Sequence, residues 1–381
     1  MDMSFSSSAN VTSTTVESPG NAADSGNDQE ILEAIPVITN LLDGGWLGKI
    51  GTTAILLFGT FGNVMTVIIL RRLRSGWSAM NVYLTALALS DTAMLYSGAL
   101  PMWARKVLDY DVYASHVSVC KLVIWVMNTT AALSAWLLVA LTVQRGASVG
   151  WPHRVNVICT HRRSVVTIVV ITAVCSLLYI HTVYGFELVK FENGTAWRCT
   201  FGSTDYQLFY VSTWVRIDMF IYSVLPCVCL IVCNTFLGWK LAVAMKEAKE
   251  KFSIGRKDLT DNRHKKASSA TITIIIVSAA FVVITVPLTA YNAFFFGYAS
   301  SDIDFFLYDF FFVFGMTNFA WNFYLYCLSG SKFREEFKSM FSCCVPDLSA
   351  AESAPVTGES NVSEVTTRCQ KNSVKETNDD F

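Results

Sequence analysis

The stretch SAWLLVALTVQRGASVGWPHR, residues 134–154, places an arginine directly after a long uncharged run. From Leu122 to Gln144 the chain carries no Asp, Glu, Lys or Arg. At a rise of about 1.5 Å per residue, a helix over this run is long enough to cross the hydrocarbon core of a bilayer. Arg145 is therefore predicted to lie at the boundary between hydrocarbon and water.

Composition and charge spacing extend this prediction to the whole chain. The protein has 381 residues, of which 52% are apolar and only 15% are charged, whereas soluble domains have about 25% charged residues. Numbered in chain order as spans 1 to 7, the uncharged windows are residues 50–70, 75–104 (interrupted only by Asp91), 122–144, 164–186, 219–239, 267–301 and 310–331. The pattern predicts an all-α membrane protein, a bundle of seven transmembrane helices. Buried helices of a large soluble core are the alternative, but such cores rarely lack charge over so many long segments.

The basic residues set the predicted orientation. If residue 1 is extracellular, the cytosolic segments hold 22 of the 29 Lys and Arg residues, as the positive-inside rule requires. The polar segment 1–45 is predicted to be a disordered extracellular tail, residues 46–345 the membrane domain, and the Ser/Thr-rich segment 346–381 a disordered cytoplasmic tail. Asn10 and Asn193 begin glycosylation sequons on the extracellular side.

The eleven cysteines divide between compartments. Cys120 and Cys199 are the two predicted to face an oxidising space, so they are the disulfide candidates. Cys343 and Cys344 follow the basic amphipathic stretch SKFREEFKSMFS. This stretch predicts a short amphipathic eighth helix on the membrane surface, in contact with lipid, with palmitoylation sites behind it.

An ordered set of motifs is similar to the rhodopsin-like, class A family of G-protein-coupled receptors over residues 46–345. The motifs include GNVMTV in span 1, NVYLTALALSD in span 2 and NFYLY in span 7. Residues that match the family spacing are Asn63, Asn81, Asp91, Cys120, Arg145, Pro152, Pro226, Phe281, Pro287, Asn322 and Tyr326. The resemblance implies a multi-pass plasma-membrane receptor that activates a heterotrimeric G protein and is regulated by receptor kinases and arrestin.

The resemblance also implies two functional clusters. Asp91, Ser134, Asn318 and Asn322 occupy the positions of an allosteric sodium site; a purely structural polar cluster, or a protonated Asp91, is the alternative. The positions implied for G-protein coupling and switching are Arg145, Gln144, Pro287, Phe281 and Tyr326. No other cofactor, no catalytic residue and no nucleic-acid partner is expected.

Several switch positions depart from the family pattern. Gln144 replaces the acid before the arginine and Gly146 the tyrosine after it, so an ion pair with Arg145 is lost. Span 6 has Thr285 in place of tryptophan, span 7 has Phe323 in place of proline, and span 5 has Asn234 in place of tyrosine. These departures leave open a receptor-like protein that is constitutively active or does not respond to an agonist.

Methionines at two positions disfavour retinal and small cationic amines as ligands. Met316 occupies the position of the retinal-binding lysine of opsins, and Met127 that of the aspartate of biogenic-amine receptors. The predicted extracellular segments carry 16 acids against seven bases, which favours a basic ligand, although a merely solvated acidic rim is the alternative. The chain most resembles invertebrate neuropeptide receptors. Candidate pocket residues, each of which could instead serve only packing, are Trp103, Trp125, Met127, Tyr291, Phe295, Tyr308 and Phe312.

Two other classes are disfavoured. A transporter is expected to show paired repeats or several charges at mid-membrane, whereas Asp91 is the one midplane acid and no repeat is evident. An enzyme needs a metal or nucleophile constellation, but the five histidines are scattered along the chain.

Overall fold

The computed structural model describes residues 45–73, 78–190, 197–253, 260–295 and 302–342. Asn10, Asn193, Cys343 and Cys344 lie outside these residues, as does the side chain of Phe295. The predictions made for these five positions therefore remain predictions.

All seven predicted spans are helical. Spans 1, 3, 4 and 6 are the helices Gly45–Arg72, Val117–Gly150, His161–Leu178 and Thr260–Phe295. Span 2 consists of Ala79–Met94, a π-helical turn at Leu95–Ala99, and Leu100–Leu108. Span 5 consists of Thr204–Phe209, Tyr210–Trp214, Val215–Asp218, Met219–Val224 and Leu225–Ser253, the second and fourth of these being π-helical. Span 7 consists of Asp302–Ala320 and Asn322–Ser329. Short helical turns join the spans at Val112–Ala114, Pro152–Arg154, Val155–Ile158 and His181–Gly185.

Five of the described helical stretches are long and apolar enough to cross a membrane, and they correspond to spans 1, 3, 4, 5 and 6. Span 2 is interrupted by its π-helical turn. In span 7 the apolar stretch Phe306–Ala320 is shorter, and the α-helix is interrupted at Trp321. Both interruptions lie in spans that carry the polar residues of the predicted sodium site.

Spans 5 and 7 begin earlier than the uncharged windows indicate, at Thr204 and Asp302. The windows were bounded by Asp218 and Asp309, which lie inside these helices. Each acid has a local partner, since the Tyr179 hydroxyl donates a hydrogen bond to Asp218 and the Lys106 ammonium pairs with Asp309. These two acids are therefore engaged within the bundle and do not contribute freely to an acidic rim.

Side-chain caps fix where several spans begin. The Ser78 hydroxyl accepts a hydrogen bond from the Asn81 amide at the start of span 2, and Thr160 accepts one from Arg163 at the start of span 4. Ser203 caps span 5 in the same way. Each cap satisfies an amide that has no acceptor inside its own helix.

The bundle is built around spans 1, 2, 3 and 7. Span 2 packs against spans 1 and 3, and span 7 packs against spans 1 and 6. Gly59 permits one close approach, because a Cβ atom there would lie 2.6 Å from Leu95 and 3.0 Å from Ala320. Substitution of Gly59 would therefore separate span 1 from spans 2 and 7.

A two-stranded antiparallel hairpin, which the sequence analysis did not predict, joins spans 4 and 5. Strand β1, Phe186–Lys190, pairs with strand β2, Trp197–Phe201, with Leu188 opposite Cys199. A disulfide joins Cys199 to Cys120 near the start of span 3, as the sequence analysis expected. The end of the bundle at this bond is called the disulfide end. Arg145 lies 25 residues along span 3, about 38 Å away at helical rise, and its end is called the arginine end.

The helix Ser331–Ser342 belongs to a second compact unit. Phe333, Phe337 and Met340 are at least partly buried and follow helical spacing, whereas Arg334 and Lys338 are exposed. This arrangement is that of an amphipathic helix, in agreement with the predicted eighth helix.

Candidate functional site

Asp91 is a carboxylate buried in the middle of span 2, with an exposed fraction of 1%. The Asn322 amide nitrogen of span 7 donates a hydrogen bond to its Oδ2 at 2.7 Å. Its other oxygen, Oδ1, is buried and has no hydrogen-bond partner among the described residues. Because an unpartnered buried carboxylate oxygen is costly, this atom is suited to contact a cation.

Neutral oxygens surround the acid on neighbouring spans. The Ser134 hydroxyl of span 3 donates to Ser90 at 2.9 Å, and Ser90 in turn donates to the Thr130 carbonyl at 3.1 Å. Asn322 contacts the acid directly, whereas Asn318 is half-buried one helical turn earlier on span 7. This chemistry fits a hard cation, which prefers carboxylate, amide and hydroxyl oxygens.

At the arginine end, the guanidinium of Arg145 reaches from span 3 to span 6. Its Nε donates a hydrogen bond to the Thr271 hydroxyl at 3.1 Å. The neighbouring Gln144 instead directs its amide nitrogen to the Ser164 hydroxyl of span 4, at 3.5 Å. Its Oε1 is buried without a hydrogen-bond partner among the described residues. The glutamine is therefore oriented toward span 4, not toward the cleft between spans 3 and 6.

Two further hydroxyl contacts hold span 6 against span 5. Ser278 exchanges hydrogen bonds with Asn234: the amide nitrogen donates at 2.8 Å, and the amide oxygen lies 3.0 Å from the serine hydroxyl. Nearer the disulfide end, Thr289 donates to the Ser223 hydroxyl at 3.0 Å. Thr271, Ser278 and Thr289 lie seven and eleven residues apart, so they fall close to one face of the helix. We call these three residues the span 6 hydroxyl seam.

The switch residues predicted for spans 6 and 7 are buried. Phe281 is 1% exposed, and its ring lies edge-on to Tyr222 of span 5 with centroids 6.4 Å apart. Pro287 lies inside the helix Thr260–Phe295. Tyr326 is 4% exposed, in the short helix that follows the interruption at Trp321. The α-helix of span 7 is thus interrupted although Phe323 replaces proline.

Toward the disulfide end, an apolar cluster collects residues from spans 1, 2 and 7. Met316 is among its buried members, and Met127 and Phe312 pack against it. The Tyr308 ring stacks on Phe312 with centroids 6.1 Å apart. The structure therefore brings together the predicted pocket residues Met127, Tyr308 and Phe312. It also shows that the positions of the opsin lysine and the amine-receptor aspartate lie in one apolar environment.

Trp103, Trp125 and Tyr291, also predicted as pocket residues, have other partners. The Trp103 indole donates to the Thr53 hydroxyl of span 1 at 2.9 Å, and the Trp125 indole donates to the Ser176 carbonyl of span 4 at 3.0 Å. Tyr291 stacks on Phe311 with centroids 5.0 Å apart. The prediction grouped these rings around a common mouth, but the two indole N–H groups direct the tryptophans toward neighbouring spans. Trp125 instead packs in a separate cluster with Cys175, Tyr179 and Trp214.

Comparison with known proteins agrees with this architecture. Residues 62–326 match the model of the 7 transmembrane receptor (rhodopsin family). The chain belongs to this family. Growth hormone secretagogue receptor type 1 of Mus musculus is 29% identical over 275 residues, 70% of each chain, and that of Homo sapiens is 32% identical over 234 residues, 59% of each chain. Neuromedin U receptor homolog nmur-2 of Caenorhabditis elegans is 32% identical over 127 residues, which are 32% of this chain and 31% of the relative.

As a rhodopsin-family member, the chain is a multi-pass plasma-membrane receptor and not an enzyme. Its disulfide end contains a ring that sequence reasoning missed. The Tyr113 hydroxyl, in the loop before span 3, donates to the Ser97 carbonyl at 3.2 Å and approaches the Met127 sulfur at 3.8 Å. Burial, followed by the proximity of Tyr308, raises the pKa of the Tyr113 hydroxyl above its usual range. The neutral Tyr113 hydroxyl therefore contacts Met127, which packs against the apolar cluster of spans 1, 2 and 7. A tyrosine in a short polar loop carries no sequence signal that would reveal this placement.

The receptor also has a charge pair that sequence reasoning missed. Lys106 of span 2 lies 2.7 Å from Asp309 of span 7, and their side chains are 26% and 5% exposed. A Cβ atom on Gly48 of span 1 would lie 3.3 Å from the same carboxylate. The pair therefore links spans 2 and 7 at the disulfide end, and span 1 packs closely beside it. Oppositely charged residues at the ends of two predicted spans were the available sequence signal.

Proposed function

We propose that the receptor binds a short, basic peptide at the disulfide end and activates a heterotrimeric G protein at the arginine end. In this orientation the disulfide end, with the N-terminus, faces the extracellular side. The observation that carries the proposal is the hydrogen bond from Arg145 to Thr271. A guanidinium held between spans 3 and 6 becomes available to a partner when span 6 moves outward.

The peptide assignment is supported by the relatives and by the disulfide end. The similar proteins are named as a growth hormone secretagogue receptor and a neuromedin U receptor homolog. Met316 belongs to one apolar cluster and Met127 packs against it, and neither side chain can act as a counter-ion for a small amine. The exposed side chains of Glu187 and Asp205 contribute acidic groups near the hairpin, and these favour capture of a cationic ligand.

We also propose two forms of regulation, one by a bound sodium ion and one by phosphorylation. A sodium ion bound by Asp91 with Ser134, Asn318 and Asn322 would favour the resting receptor by linking spans 2, 3 and 7. Phosphorylation of the Ser/Thr-rich segment 346–381 by receptor kinases would create negative charge for arrestin. The amphipathic helix Ser331–Ser342 would lie on membrane lipid, with Cys343 and Cys344 as acylation sites.

A cell assay of G-protein activation against a library of neuropeptides tests the proposal. We expect a basic peptide to stimulate the wild-type receptor, whereas Arg145→Ala binds the same peptide and reaches the surface but does not couple. A surface-expressed wild-type receptor that signals equally with and without every peptide would favour the ligand-independent alternative. No signal under any condition would contradict the proposal.

A further inference from the structure

A cavity of about 170 Å³ lies at the arginine end, between the start of span 2, span 3 and the segment that connects spans 3 and 4. Its apolar lining comes from Ala79, Met80 and Leu141. Its polar lining comes from Ser78, Gln144, Arg145, Ser148 and Cys159. Neither the peptide site nor the proposed sodium site uses this cavity.

The polar lining combines three different chemical groups. Arg145 supplies a guanidinium, which recognises carboxylates. Gln144 supplies a buried amide oxygen that has no hydrogen-bond partner among the described residues. Cys159 supplies a partly exposed thiol. The cavity therefore places an anion contact and a nucleophile side by side.

The position of the thiol is fixed by its neighbours. The Cys159 sulfur lies 3.3 Å from the Ser148 hydroxyl and 3.7 Å from the Gln144 carbonyl. Ser148 itself donates to that carbonyl at 2.9 Å. Arg145 lines the same cavity as Cys159, and the thiol is partly exposed, so a dissolved reagent can reach it there.

We infer that Cys159 is a site of reversible modification by glutathione. A glutathionyl group has a sulfur for Cys159 and carboxylates for Arg145. The Cys159 thiolate attacks one sulfur of glutathione disulfide, a mixed disulfide forms, and one glutathione thiolate leaves, so electrons balance without a further oxidant. An adduct here occupies the cavity beside Arg145 and obstructs G-protein coupling.

The expected contact between the Arg145 guanidinium and the carboxylates of glutathione gives a test that does not depend on signalling. Membranes that contain the full-length receptor are permeabilised and treated with glutathione disulfide, which is anionic, or with cystamine, a cationic disulfide. Peptide mass spectrometry measures the rate at which Cys159 is modified, normalised to the rate of each reagent with 2-mercaptoethanol. We expect glutathione disulfide to react about threefold faster or more, because the Arg145 guanidinium in the same cavity favours the anion.

Two variants at Arg145 distinguish the effect of its charge from an effect of the substitution on folding. Arg145→Met is expected to remove the preference for the anion, whereas Arg145→Lys keeps it. The ratio of two reagents on the same protein cancels differences in the exposure of Cys159. Equal or faster modification by cystamine in the wild type, or an unchanged preference in Arg145→Met, overturns the inference.

The inference rests on the proposed orientation, in which this end faces the cytosol. Intact cells test that part separately, because glutathione disulfide does not cross the membrane. Intact cells are therefore treated with isotopically labelled glutathione disulfide, and a labelled adduct on Cys159 would overturn the orientation, whereas absence of anion preference in permeabilised membranes would overturn the glutathione site alone.

Discussion

The Nε atom of Arg145 and the hydroxyl of Thr271 lie 3.1 Å apart and join span 3 to span 6 by a hydrogen bond. The neighbouring Gln144 cannot form an ion pair with this arginine, and its amide is directed to Ser164 instead. A hydroxyl on span 6 thus contacts the arginine, whereas the acid that precedes the arginine in the family pattern is replaced by Gln144 on span 3. Together with the contacts of Ser278 and Thr289, it connects span 6 to its neighbours by hydroxyl hydrogen bonds and not by an ion pair.

Thr271→Ala should raise ligand-free signalling. The substitution removes an acceptor for a charged donor, a contact that contributes about 1.5 kcal/mol or more, or roughly tenfold in a two-state equilibrium. Nucleotide exchange by the G protein, measured without peptide at matched surface expression, checks this. Thr271→Ser retains the hydroxyl and should behave as the wild type; equal activity of all three proteins would contradict the predicted restraint.

The pair Asn234 and Ser278 should act as one unit. Asn234→Leu and Ser278→Ala each break the exchange of hydrogen bonds between spans 5 and 6, so each is expected to raise basal signalling by about fivefold. The double variant should exceed the single variants by little, since both remove the same contact. Additive effects in this double-mutant cycle would show that the two residues act through separate partners.

The fold could be predicted from the uncharged windows, but the ends of spans 5 and 7 could not. Asp218 and Asp309 ended those windows because a charge in a membrane segment is costly. In the structure Tyr179 and Lys106 satisfy them, and both partners come from spans distant in sequence. A rule based on local charge has no means of finding such tertiary partners.

The candidate site was predictable where a motif has fixed spacing. Asp91, Asn322 and Arg145 were found in this way, and Asn322 does contact Asp91. The contacts of Arg145 with Thr271 and of Asn234 with Ser278 could not be predicted, because each depends on the rotation of two helices about their axes. The contacts of the Trp103 and Trp125 indoles could not be predicted for the same reason, since composition does not say which neighbouring span an aromatic ring faces.

Sodium should weaken agonist binding in the wild type and not in Asp91→Asn. The carboxylate Oδ1 is buried without a partner among the described residues, so a cation bound there would stabilise the resting arrangement and oppose activation. Binding of the peptide agonist is measured at rising sodium concentration, with choline as the control cation. An identical sodium response in both proteins would argue against the site.

Replacing Lys106 should destabilise the bundle more than replacing Asp309. Lys106→Met leaves the buried Asp309 without that partner and should cost about 1 to 3 kcal/mol of folding stability, below the value for a fully buried pair because Lys106 is partly exposed. Asp309→Asn should cost less, since the lysine can reach solvent. Thermal unfolding in detergent checks both variants. Lys106→Met combined with Asp309→Leu should recover part of the loss; a double variant weaker than both single variants would contradict the pairing.

Gln144→Glu should lower ligand-free signalling while surface expression is maintained. A glutamate can pair with the Arg145 guanidinium, whereas the glutamine offers only a neutral hydrogen bond and is directed to Ser164 at 3.5 Å. Restoring a charge-assisted contact of about 1 to 3 kcal/mol would move the equilibrium toward the resting state by roughly five- to a hundredfold.

Basal nucleotide exchange is the measurement for Gln144→Glu, and Gln144→Met is its matched control, because methionine has similar length and cannot pair with the guanidinium. Combining Gln144→Glu with Thr271→Ala sharpens the test, since the new ion pair should offset the lost hydroxyl contact. Equal basal signalling in the wild type and Gln144→Glu, at matched expression, would show that the hydroxyl contacts of span 6 restrain the resting receptor without help from this position.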